Sequence, residues 1–169
     1  EETVKNIMDW VRRNLRCSSD DERGQYQKRE RTSHQIIESR CATGCTDYTL
    51  AFVALARSKG ISATVTEAIR EKWIAEMVWS NEWNPEIEGH FYSEVFLPEM
   101  SAWVVADPTS NKLTKRDDHG YYTLKREGSL RRYMLFERGL DTWDYGISTI
   151  EELADVVRKR FYVERGDQP

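Results

Sequence analysis

Residues 50–56, Leu-Ala-Phe-Val-Ala-Leu-Ala, would be apolar on almost every face of a helix, and this stretch constrains the fold more than any other. A helix of that kind cannot lie on a surface; it has to be enclosed by other elements. The spacing predicts a helix over residues 46–59, with Arg57 and Lys59 in its last turn and Gly60 as its stop. Immediately before it stands Cys41-Ala-Thr-Gly44-Cys45-Thr-Asp47-Tyr. A cysteine is thereby set at the N-terminus of a buried helix, where unpaired backbone N–H groups and the helix dipole favour an anion.

A thiol near pH 7 is only a few per cent ionised, so nucleophilic work requires an adjacent base and a site that favours the thiolate. Downstream come Gly89-His90-Phe-Tyr-Ser-Glu94-Val and Trp103-Val-Val-Ala-Asp107-Pro-Thr. His90 could take the thiol proton and return it to a leaving group, and Asp107 could hold the imidazole in one tautomer. The helix amides could hold the oxyanion of a tetrahedral intermediate, and Gly44 leaves room for a substrate backbone beside Cys45.

Each of these residues has a plainer reading. Cys45 could be an inert buried thiol, His90 a strand histidine facing solvent, and Asp107 before Pro108 an ordinary strand-ending turn. The order of the three, with about 45 residues from Cys to His and about 17 from His to Asp, favours the catalytic reading. His34 and His119 sit in polar contexts, and Glu94 is expected to be a salt-bridge partner. Without a C-x-x-C or H-x-x-x-H pair, no metal site and no organic cofactor are expected.

Gly-Cys-Thr-Asp-Tyr, a helix closing on Arg-Ser-Lys-Gly-Ile-Ser-Ala, His-x-x-x-Glu-Val and Trp-x-x-x-Asp-Pro-Thr together resemble the transglutaminase-like superfamily of papain-fold thiol enzymes. The resemblance covers about the first two thirds of the chain, including a lead-in helix that ends Asp-Trp-Val-Arg-Arg-Asn. It implies Cys45 as nucleophile, His90 as general base and acid, and Asp107 as orienting carboxylate. Animal transglutaminases place a Trp, and papain-type proteases a Gln, before the nucleophile to help hold the oxyanion. Gln35 is the side chain chosen here for that task, ahead of Gln25 and Gln27. Cys41 is read as a small apolar core residue, although a bridge to Cys17 is open; an odd cysteine count argues against a disulfide framework.

The expected fold class is α+β, a papain-like core in which the buried Cys-bearing helix packs on an antiparallel sheet carrying His90 and Asp107. One domain is expected over 1–169. Residues 3–16 form an amphipathic helix, 18–31 a charged loop, and 32–40 a short helix. Strands are expected at 61–69, 90–97, 102–106, 121–126 and 133–138, and a capped helix at 149–161. Trp73, Trp79 and Trp83 crowd the segment before His90, and Trp143 with Asp144 lies in a second aromatic and acidic loop. Trp83, Trp143 and Asp144 are taken as substrate-binding candidates, with core closure as the alternative.

A net charge of −4 with mixed signs gives no basic stripe, so nucleic acid is not an expected partner, and no run of eighteen apolar residues spans a membrane. The start at Glu1 allows that a signal or preceding segment has been removed; the compartment stays open, with a lean to the cytoplasm. Three functions fit. A thiol hydrolase would act on peptide-like amides, a transglutaminase or other acyltransferase would resolve the same acyl-enzyme with an amine, and a binding module would use the fold without catalysis. The absence of accessory β domains from the chain as given favours hydrolysis.

Overall fold

A computed structural model describes residues 1–16, 31–79, 88–126, 128–139 and the isolated positions 156 and 159. Helices α1 (Glu2–Asn14), α2 (Ser33–Ser39) and α3 (Cys45–Ser58) precede strand β1 (Ala63–Arg70). Helix α4 (Glu71–Trp79) follows, then β2 (Gly89–Leu97), β3 (Ala102–Asp107), β4 (Lys112–Thr114), β5 (Tyr121–Arg126) and β6 (Ser129–Gly139). The expected helix at 149–161 and loop at 18–31 lie outside the described residues, apart from Arg31 and the two isolated positions.

The ends of α3 are encoded locally. Gly60, at a positive φ of 75°, donates to Arg57 O, and Ile61 N donates to Ala56 O, a pair of bonds that satisfies the last turn of the helix. Along its length Leu50, Ala51, Phe52, Val53 and Ala56 are buried, as an apolar circumference requires. Helix α1 covers one flank with Val4, Ile7, Met8 and Val11.

Six antiparallel strands follow the order β4-β3-β2-β1-β6-β5. Alternation along β2 divides two cores between the faces of the sheet. Phe91, Val95 and Leu97 join Val65, Val104, Ala106 and the helices, whereas Tyr92 joins Ala68, Val105, Tyr122 and Tyr133 on the other face. The sheet curls strongly about this second core. Lys112 Nζ of β4 donates to Thr123 O of β5 at 2.7 Å, so the two strands at opposite ends of the strand order come together. No helix among the described residues is long and apolar enough to cross a membrane.

Two elements were not expected. The 71–79 segment, to which no helix was assigned from the sequence, is helix α4, with Trp73 buried. The three-residue strand β4 pairs with the end of β3. The expected role of Cys41 as a free core thiol is corrected: it is fully buried but disulfide-bonded.

Candidate active site

Cys45 is the first residue of α3 and a free cysteine, partly exposed. Gly44 caps the helix in an extended conformation, and a Cβ there would meet nothing within 4 Å. The backbone therefore does not require a glycine; the missing side chain leaves open space beside the thiol. The turn before Cys45 is held by Asp47, a buried carboxylate that accepts from Thr43 N and Thr43 Oγ1, each at 2.8 Å, and pairs with the buried Arg31. The first N–H groups of the helix have no intrahelical acceptor and point toward the thiol end.

His90 is the second residue of β2 and Asp107 the last of β3. Because the strands run antiparallel with Ser93 opposite Ala106, both fall at the same end of the sheet. His90 Nε2 lies 2.8 Å from Asp107 Oδ2, which leaves Nδ1 for the Cys45 thiol, a hydrogen-bond partner of the same ring. Phe91, the residue after the histidine, offers its backbone N–H to the thiol. The structure thus brings Cys45, His90 and Asp107 together.

Asp107 is fully buried and saturated with donors. Oδ1 accepts from Thr109 N at 2.9 Å and Ser110 N at 3.2 Å, while Oδ2 accepts from Ser110 Oγ at 2.6 Å and Tyr122 OH at 2.8 Å in addition to His90. Three tyrosines surround the imidazole: Tyr133 at 5.3 Å, and Tyr92 and Tyr122 at 6.2 Å between ring centroids, Tyr122 being nearly parallel to it.

The electrostatics follow from this enclosure. Burial alone would push the Cys45 thiol up, but the hydrogen bond and charge of His90 overcome it and hold the thiol below its ordinary value. Burial would lower His90; bonds to Asp107 and Cys45 outweigh it and raise the imidazole to about 9. Burial would raise Asp107, yet His90, Ser110 and Tyr122 keep it below the usual carboxylate value. The arrangement favours a thiolate beside an imidazolium. Such a pair can attack a carbonyl carbon and protonate a departing amine.

Gln35, the expected oxyanion donor, stands at the N-terminus of α2. It is an exposed residue whose Oε1 accepts from Thr32 N at 2.8 Å, while its own N–H donates to Thr32 Oγ1, forming the capping box of α2. The signal was present in the sequence as Thr-x-x-Gln ahead of Ile36. Trp83, Trp143 and Asp144, with Gln25, Gln27 and Cys17, lie outside the described residues. Glu94 is buried between Arg116, whose Nε is 2.9 Å away, and Arg138. Among the described residues no three His, Cys, Asp or Glu side chains are placed to share a metal ion. Sequence reasoning missed Ser110 and Tyr122. The short run Asp-Pro-Thr-Ser carried a turn signal for the first; nothing local marked the second.

The profile of the transglutaminase-like superfamily matches residues 1–108, which include Cys45, His90 and Asp107. The chain belongs to this superfamily. Its fold is shared with a candidate cysteine protease from Cytophaga hutchinsonii, at 18% identity and a TM-score of 0.50. That similarity covers 83% of this chain and 37% of the other, so the superfamily member described here spans well under half the length of that protein. Legionella pneumophila LapG is also similar, at 13% identity, in an EGTA-treated form (TM-score 0.47, 94% of this chain and 77% of LapG) and a calcium-bound form (0.46, 95% and 79%). No curated protein sequence matches the chain.

Proposed function

We propose that the protein is a thiol hydrolase of the cysteine peptidase or amidase type, acting on peptide-like amides through an acyl-enzyme at Cys45. The hydrogen-bonded sequence from Cys45 through His90 to Asp107 Oδ2 carries this reading. In the first step the Cys45 thiolate forms a bond to the amide carbonyl carbon, and the amine leaves with the proton from His90. In the second, His90 takes a proton from water, whose oxygen bonds to the acyl carbon and releases the thiolate. The N-terminal amides of α3 supply oxyanion stabilisation in place of Gln35. Membership of the superfamily and the fold shared with a candidate cysteine protease support peptide-bond chemistry. The disulfide at Cys41 supports an oxidising compartment rather than the cytoplasm toward which the sequence leans.

The test is incubation with a proteome-derived peptide library in ¹⁸O-water, with a fluorescent primary amine added in a parallel reaction. Fragments carrying one ¹⁸O at new C-termini, made by the wild type and not by Cys45→Ala, are expected. Peptides whose acyl carbon carries the fluorescent amine in place of ¹⁸O, made by the wild type and not by Cys45→Ala, would replace hydrolysis by acyl transfer. Neither product, together with an unreactive Cys45, would leave a binding module.

A further inference from the structure

We infer that Tyr122 is a positioning residue for the catalytic pair, fixing Asp107 against His90 from the far end of the sheet through a hydroxyl bond to Oδ2 and a ring laid on the imidazole. The inference rests on the proposed role of Cys45 and His90 and adds a residue past the 1–108 segment matched by the superfamily. Tyr122 belongs to β5 and Asp107 to β3, separated in the sheet by β2, β1 and β6. Only the curl of the sheet brings them to 2.8 Å. Ser110 Oγ sits 3.2 Å from Tyr122 OH and 2.6 Å from Asp107 Oδ2, which closes a small network around one carboxylate oxygen. The Tyr122 ring also interacts with Lys112, whose Nζ is 5.4 Å from its centroid.

A phenol in this position acts on the Asp107–His90 pair in two ways. By donating to Oδ2 it competes with His90 Nε2 for the same lone pairs and limits how tightly the carboxylate holds the imidazolium proton. By stacking near-parallel at 6.2 Å it fixes the plane in which the imidazole must lie. Burial and the Asp107 charge keep the phenol protonated, so it acts as donor. The groups facing His90 are Cys45 from α3, Asp107 from β3, Tyr92 beside it on β2, Tyr122 from β5 and Tyr133 from β6. Glu94, Arg116 and Arg138 lie further along the face, around Tyr92.

The experiment is titration of the His90 ring nitrogens by NMR in the wild type, in Tyr122→Phe and in a protein carrying difluorotyrosine at position 122. Phenylalanine keeps the ring and removes the donor, so Asp107 becomes more basic and the His90 midpoint should rise by roughly half a unit. Difluorotyrosine is a stronger donor of nearly the same shape, and the midpoint should fall. It also provides the reading if the Phe variant does not fold. A hydroxyl with only a structural role would change thermal stability and leave the midpoint in place. A raised wild-type midpoint indifferent to both substitutions overturns the inference alone; a wild-type midpoint near that of free imidazole overturns the catalytic reading beneath it.

Discussion

His90 and Asp107 meet through Nε2 and Oδ2 at 2.8 Å, in a site where histidine is buried and the carboxylate fully enclosed. The contact determines which ring nitrogen serves the thiol, and it depends on the register of β2 and β3. A slip of one residue would turn either side chain to the opposite face of the sheet.

Cys45→Ala and His90→Ala should each lower turnover on the order of 10⁴-fold or more, since nucleophile and base act as a unit. Single-turnover assays on any peptide found by the library screen check this. Circular dichroism should show both variants folded, because Cys45 is partly exposed and His90 sits at the end of a strand.

Asp107→Ala should do different damage. Its activity loss should be smaller than for His90→Ala, because an orienting group is partly replaced by water. Its stability loss should be the larger, about 3–5 kcal/mol, because it strands the buried donors Ser110 and Tyr122 beside His90. Urea denaturation of the two variants side by side separates these effects.

The ion pair makes a signed prediction about pH. His90 is raised from 6.5 to about 9, so its contribution is complete below pH 6.5 and is lost as pH rises through about 9. Cys45 is lowered from 9.0, so its contribution is complete above that value and is lost as pH falls through the folded one. Between pH 6.5 and 9 the two slopes cancel, because folded pair and unfolded chain each hold one proton. Relative to the wild type, Cys45→Ala should therefore lose thermal stability progressively as pH rises across that window. A difference that stays constant would mean that the folded pair is uncharged.

Cys41→Ser should destabilise the protein by about 2–4 kcal/mol, the usual cost of losing a disulfide. The sequence alone predicts a mild effect, and the oxidised Cys41 reverses that expectation. Thermal melts with and without a phosphine reductant check it: the wild type should fall to the level of the variant, and the variant should not respond.

The buried helix and the edge shared by His90 and Asp107 are legible in the sequence for physical reasons. The all-round apolar segment 50–56 required a buried helix, and its boundary put a thiol at an N-terminus. The period-two pattern of β2 and β3 placed His90 and Asp107 at a common edge. The place of Gln35 in the capping box with Thr32 is legible as Thr-x-x-Gln at the start of α2. Helix α4 is only nine residues long, and its one local signal is the helical spacing of Lys72 and Glu76, which form an ion pair at 3.4 Å. Tyr122 could not be found at all, since its contact with Asp107 exists only once the sheet has curled.

The most direct test of the central claim is the pH dependence of iodoacetamide alkylation at Cys45, with the labelled residue located by peptide mass mapping and His90→Ala as control. A thiolate held by an imidazolium should react rapidly well below the ordinary thiol value, and that reactivity should vanish in the His90 variant. Alkylation that rises only near pH 8 to 9, or that is the same with and without His90, would contradict an activated thiol at this site.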